Sequence, residues 1–486
     1  MKPMRTIAFI PVVILAGCSL APTYEQPSTP VATSYPQHAS EKNTAGTPVA
    51  GLGWRTYFRD PQLLALIELG LERNRDLAQS LAQIEQARAR LRIQDSQRLP
   101  NIDLGGTGAR SRTPASSLAN SGATGGVQGA GSHIEAEQYA ANVSVGVFEL
   151  DLWGRLRSLS EAERLRYLAT VEGARDARLT LIAEIASTYF DVRAGVERTM
   201  LAEQSLIGRR EGVAIAKDRL DAGVTSTVDY DQTVQLLTQA ENELAVVRRT
   251  TAQSKHLLDV LVGGPSESTL PSAIAFQEPQ TGAIKPGLPS DLLHSRPDLL
   301  EAEFNLKAAN ANIGALRAQF FPTISLTGAY GYAAPALSGL VQDDNLSWSF
   351  GGAIDLPIFD WGRRRAELRE GKARADELVA AYQRTAQGAF QEVADALVGR
   401  QYYHEQLIAL GTTVQTQERL VETARLRYEN GVSIYLEVLD AERNLFASQQ
   451  ELLQLRATAL QNDIALYVAL GGGTMDKTEP LKSTLD

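Results

Sequence analysis

The chain has 486 residues, a formal net charge of −10 and an apolar fraction of 44%. That acidity disfavours nucleic-acid binding, and a single cysteine rules out an intrachain disulfide. The five histidines (His38, His133, His256, His294 and His404) show no metal-ligand spacing, so no metal or cofactor is expected.

Residues 1–17 read as a bacterial export signal, with Lys2 and Arg5 ahead of an apolar core from Ile7 to Ala16. That core is too short to span a bilayer as a helix. It ends in Leu15-Ala16-Gly17-Cys18, a lipobox-like site that predicts lipidation of Cys18. Residues 18–59 are rich in Pro, Ser, Thr and Ala and read as a lipid-anchored extended strap. Asp60-Pro61 places Pro in a first helical turn, and one helix is expected from there to about Arg98.

An internal repeat follows. An offset of 222 aligns Asp76 with Asp298, Leu77 with Leu299, Pro100 with Pro322 and Ile102 with Ile324. Beyond the next loop the offset is 208, aligning Trp153-Gly154-Arg155 with Trp361-Gly362-Arg363 and Gly263-Gly264 with Gly471-Gly472. The change implies a longer first-half loop, Ser111 to about Gln138. Residues 60–280 form repeat 1, 281–474 repeat 2 and 475–486 a C-terminal tail. Each repeat reads helix, strand, loop, strand, very long helix, glycine turn, long helix.

The strands alternate. Ile324, Leu326, Tyr330 and Tyr332 share one face, as do Leu346, Trp348, Phe350, Ile354, Leu356 and Ile358. In the first half, Val143, Val145 and Val147 oppose Asn142 and Ser144. Pattern alone fits a soluble sandwich or a membrane barrel equally. Four strands cannot close a barrel, so a membrane form needs several chains to pool them.

No proline occurs in 115–264 or 358–479, and proline inside a helix costs about 3 kcal/mol. Long helices follow, one of them from Trp153 to about Ala222, a rod on the order of 100 Å at 1.5 Å per residue. A heptad beat at Leu439, Phe446, Leu453, Leu460 and Tyr467 predicts coiled-coil packing. Gly173, Gly195, Gly208 and Gly212 are expected to mark irregularities in the first rod. Two turns interrupt the rods, one at Arg219, Gly223 and Val224, its near-copy at Arg427, Gly431 and Val432. Both carry the helix-stop chemistry of a left-handed glycine.

The chain resembles the lipoprotein branch of the TolC-like family, the outer-membrane channels of tripartite RND-type efflux pumps. The motifs that carry the resemblance include Glu-Leu-Asp-Leu-Trp-Gly-Arg (149–155), Ala-Asn-Ala-Asn-Ile-Gly-Ala (309–315), Phe-Phe-Pro-Thr-Ile-Ser-Leu-Thr (320–327) and Tyr-Leu-Glu-Val-Leu-Asp-Ala-Glu-Arg (435–443). It implies an α+β chain in a homotrimer, with four strands per chain in an outer-membrane β-barrel continuous with a periplasmic α-helical barrel. It implies passive transport, with an inner-membrane RND transporter, a periplasmic adaptor (membrane fusion) protein and outer-membrane lipid as partners. By motif match, Leu436 and Asp440 would form an apolar and an acidic ring at the periplasmic gate, and Tyr428 and Arg443 would lock neighbouring helices. Glu429 departs from relatives with a basic residue there. The glycine turns would dock the adaptor. The repeat places Val228, Gln232 and Gln235 opposite Leu436, Asp440 and Arg443, so only one acidic ring is expected. The competing reading is a lipid-anchored structural periplasmic coiled-coil protein. No phosphate loop or nucleophile motif points to an enzyme.

Overall fold

The proline-free stretches become two helices of 67 residues each, Arg155–Asp221 and Arg363–Glu429. They belong to a computed structural model that describes residues 20–32, 47–49, 52–114, 133–266, 284–285 and 292–472. Cys18, the export signal, the C-terminal tail and the tip of the first-half loop lie outside the described residues. In chain order the main elements are α1 (Pro61–Arg73), α2 (Arg75–Ser96), β1 (Ile102–Pro114), β2 (His133–Leu150), α3 (Arg155–Asp221) and α4 (Thr227–Val262). There follow α5 (Pro297–Ala318), β3 (Thr323–Ala334), β4 (Leu346–Asp355), α6 (Arg363–Glu429) and α7 (Tyr435–Ala469).

Two points correct the expected helices. The helix from Pro61 is broken at Asn74, whose backbone is extended. Asn74 Oδ1 caps α2 by accepting from Leu77 N at 2.9 Å, while Nδ2 donates to Leu261 O at 2.9 Å. An asparagine that satisfies both helix ends outcompetes one more helical turn. In contrast, α3 runs unbroken through its four glycines. At Gly173, Gly195 and Gly212 an added Cβ would meet Glu301, Thr251 and Tyr435, so these are points of close approach.

The chain divides into two units, one of residues 1–26, 86–167 and 304–379, the other of 27–85, 168–303 and 380–486. The first holds the sheet. Its strands are antiparallel in the order β1-β2-β3-β4, so the two sequence hairpins join through β2 and β3. Leu104, Val143, Tyr330 and Trp348 lie opposite one another across all four strands, and directly opposite residues share a face. Asp103, Ser144, Ala329 and Ser349 make the neighbouring row on the other face. Leu104 is 83% exposed and Trp348 72%. Val147 leaves the expected face, because a register shift between Val145 and Phe148 passes the apolar alternation to Phe148 and Leu150. A small core of Ala162, Leu165, Ala308 and Ala311 packs beside Phe304.

The second unit holds the larger core. At its centre Tyr57 and Tyr467 stack with centroids 4.2 Å apart, and each buried hydroxyl donates to a carbonyl, Asp463 O and Leu52 O. The ends of α4 and α7 dock alike. Gly263 and Gly471 sit at φ +76 and +73, where an added Cβ would meet Arg73 O and Ser295 O. Where Asn74 reaches Leu261 O, Arg296 reaches Ala469 O at 3.1 Å. The arginine brings a charge that asparagine does not, and Asp298 and Glu392 receive it at 2.8 and 2.7 Å.

Burial, reinforced by neighbouring carboxylates, raises Asp176 and Glu301 above their ordinary values. Their protonation therefore favours the fold, and stability rises as pH falls through those raised values. Arg296→Met strips the cluster of its buried cation and costs about 3 kcal/mol at neutral pH. Thermal unfolding followed by circular dichroism should show that deficit shrinking as the pH is lowered to about 5; a pH-independent deficit contradicts the assignment.

Candidate functional site

Two helix reversals in the second unit gather all the predicted site residues except Cys18. At the first, Val224 N donates to Arg219 O and Gly223 N to Leu220 O, each at 2.9 Å, with Gly223 at φ +72. At the second, Val432 N donates to Arg427 O at 2.8 Å and Gly431 N to Tyr428 O at 2.9 Å, with Gly431 at φ +71. Both are helix stops closed by a left-handed glycine. Val224 and Val432 stand mostly exposed beside them.

The restarts differ. At α4, Ser226 Oγ accepts from Asp229 N at 3.1 Å, and Asp229 Oδ2 accepts from Thr225 Oγ1 at 2.8 Å and from Ser226 N at 3.3 Å. This capping box holds the Asp229 carboxyl below the ordinary range, the Thr225 bond contributing most. At α7 the capping position is Ile434, with no side-chain cap, and Ser433 Oγ is buried with no hydrogen-bond partner among the described residues.

Tyr428 joins the reversals. Arg219 Nη1 donates to Tyr428 Oη at 2.7 Å, and the guanidinium lies 5.7 Å from the ring centroid. Tyr435 packs 5.0 Å from Tyr428 with its hydroxyl against Gly212, and burial raises its pKa. Across the second turn Arg427 Nε lies 3.5 Å from Glu437. Deeper in, Glu442 takes Arg425 at 2.7 Å and Arg209 at 3.7 Å. Arg209 also donates to Leu439 O at 3.3 Å, and burial lowers its pKa.

Leu436 and Asp440 share a face of α7 one turn apart. Leu436 lines a cavity of about 580 Å³ with Val224, Asp229, Gln232 and Ile434. Asp440 Oδ1 is 2.8 Å from Arg443 Nη2, both more than half exposed. Arg443 therefore masks the predicted acidic residue on its own helix, while Tyr428 finds its partner in the other reversal. Arg219, read from sequence as a docking-turn residue, supplies that partner. Sequence reasoning missed Arg209, Glu442 and Tyr435. The uncapped restart was visible at the 208 offset, which sets Ile434 opposite Ser226.

A four-stranded sheet with an exposed apolar face, paired helix reversals and very long helices define the outer-membrane efflux channel class. The chain belongs to the outer membrane efflux protein family, whose profile matches residues 66–264 and 288–472. The toluene efflux pump outer membrane protein TtgC of Pseudomonas putida is 38% identical, over 96% of this chain and 94% of that protein. The cation efflux system protein CusC of Escherichia coli is 36% identical, over 97% and 99%. The open state of the MtrE outer membrane channel of Neisseria gonorrhoeae matches with a TM-score of 0.83 and 33% identity, over 95% of this chain and 100% of that one. The protein is an outer-membrane efflux component.

A capping side chain contributes about 1 kcal/mol. Ile434→Asp should therefore slow amide hydrogen exchange at Leu436 and Glu437 by about fivefold. An unchanged rate contradicts the assignment of Ile434 as the missing cap.

Proposed function

We propose that the chain is the passive exit duct of a tripartite efflux system, a homotrimer carrying antibiotics, drugs and solvents from pump to exterior. The observation that carries this reading is the sheet, which presents apolar residues on one face and ends on two outer strands. Three copies would pool twelve strands, an even number that suits an outer-membrane barrel. The ten residues of β4, at about 3.4 Å each and tilted about 40°, project to about 26 Å, close to the height of an apolar bilayer band. Acyl chains on Cys18 would add an anchor.

The helices would line a tunnel through the periplasm. The duct does no chemistry, and energy enters at an inner-membrane RND transporter. The exposed Val224 and Val432 beside the turns suit docking by a periplasmic adaptor. The Arg219–Tyr428 bond is the lock that an iris-like movement would break, and the uncapped Gly431 reversal is the end free to move. Residues 60–280 and 281–474 are read as duplicated halves. Equal lengths of α3 and α6 at the 208 offset, and of α2 and α5 at the 222 offset, support this. Relatives named for toluene and for cations leave two cargo classes. Four methionines in the whole chain favour organic cargo over soft metal ions. The coiled-coil spacer alternative gives the open apolar sheet face nothing to do.

Planar-bilayer recording tests the gate. Three Asp440 carboxylates near the axis favour cations, so Asp440→Asn should lower the cation-to-anion permeability ratio and Arg443→Gln should raise it. Tyr428→Phe, which removes the acceptor of the Arg219 bond, should raise conductance several-fold. Anion selectivity in the unmodified protein, or indifference to all three changes, overturns the gate assignment.

A further inference from the structure

Beside the Asp440–Arg443 pair, α3, α4 and α7 enclose a second cavity of about 320 Å³. That volume falls at the low end of the range for small-molecule sites, which begins at about 300 Å³. Arg209 enters the lining from α3, Arg443 and Phe446 from α7, and Leu236 and Glu243 from α4. All five lie in the second unit. Phe446 packs against a small core of Ala202, Leu206 and Leu244, so the cavity has a supported aromatic wall as well as a cationic one.

Arg209 is the unusual member. Its side chain is only 5% exposed, yet a guanidinium carries five N–H donors and keeps its charge. Among the described residues it makes one hydrogen bond, from Nη1 to Leu439 O at 3.3 Å, and its ion pair with Glu442 is long, at 3.7 Å. Glu442 has a closer partner in Arg425, at 2.7 Å. Arg296, also buried in this unit, has carboxylates at 2.8 and 2.7 Å. Burial lowers the Arg209 pKa in spite of Glu442, and the Arg443 charge adds to the effect. A buried cation is costly unless an anion and hydrogen bonds meet it, and the side chain with donors to spare is the one that lines the cavity. At the 208 offset, Arg209, Arg443 and Phe446 correspond to Gln417, Gln235 and Thr238. The matching helices therefore form without these cations or this ring.

We propose that the cavity binds a small aromatic carboxylate. Its anionic head takes the Arg209 fork, the geometry a guanidinium offers a planar anion, with Arg443 closing on the same head. Its ring packs on Phe446 and Leu236. Two guanidinium groups against the single carboxylate of Glu243 make the lining net cationic, which selects against an uncharged compound of the same shape. A bare inorganic anion would bury nothing against the apolar wall, so the occupant is an organic anion. Arg443, drawn to the bound head, releases Asp440, which then presents its full charge. That consequence rests on the gate proposed above; the binding site does not.

Fluorine NMR of the purified full-length protein, titrated with para-fluorobenzoate, tests the site. Binding should saturate, and Arg209→Gln should weaken it at least about tenfold, since hydrogen bonds to a charged group are lost. Phe446→Leu should weaken it several-fold. The uncharged para-fluorobenzamide should bind the unmodified protein at least about tenfold more weakly, a comparison that stands even where Arg209→Gln fails to fold. No saturable binding of the benzoate, or equal binding of the amide, overturns the site. Undiminished binding to the Arg209→Gln protein overturns the role of Arg209. In planar bilayers, benzoate on both sides should raise the cation-to-anion permeability ratio as Arg443→Gln does, and should add nothing to that variant. Saturable binding without this change overturns the link to Asp440 alone. Saturable binding to a protein that forms no channel overturns the duct and not the site.

Discussion

Backbone hydrogen bonding in lipid is the constraint on which the rest of this structure depends. A strand that ends a sheet in water can bond to water; one that ends a sheet in hydrocarbon leaves donors and acceptors with nothing, at several kcal/mol each. The larger sheet among the described residues has four strands, too few to close, with apolar side chains on the exposed face.

The two helical hairpins share a scaffold and differ at their reversals. The docking of the α4 and α7 ends is kept in both, through Gly263 and Gly471 and the side chains of Asn74 and Arg296. The reversals have diverged. One restart is secured by Ser226 and Asp229; the other begins at Ile434, with the Ser433 hydroxyl buried and unpaired among the described residues. Asp440 and Arg443 occur only on the second hairpin, and Arg219 on the first reaches Tyr428 on the second. A capped hairpin is thus hydrogen-bonded to an uncapped one.

Much of the fold was legible in the sequence. Proline's incompatibility with helix interiors marked the long rods, and alternation marked the strands and their apolar face. What escaped depends on packing. Asn74 breaks a helix by bonding to Leu261, a residue 187 positions away, and the shift at Val145 turns Val147 off its face for a reason visible only in the partner strand. The site divides likewise. The turn positions followed from glycine chemistry, while the gate assignment of Leu436 and Asp440 rests on family motifs and stands as a proposal. The partners of Tyr428 and Arg443 came only from the structure, because salt bridges and hydroxyl bonds leave no periodic trace.

The central claim is that this protein is the exit through which small toxic compounds leave the cell. Steady-state accumulation of a lipophilic fluorescent dye in energised cells tests it most directly, comparing deletion of the gene with its restoration. The account predicts that deletion raises dye retention several-fold and that the intact gene returns it to the original level. Retention that stays the same with and without the gene, while the companion pump and adaptor are present, contradicts it.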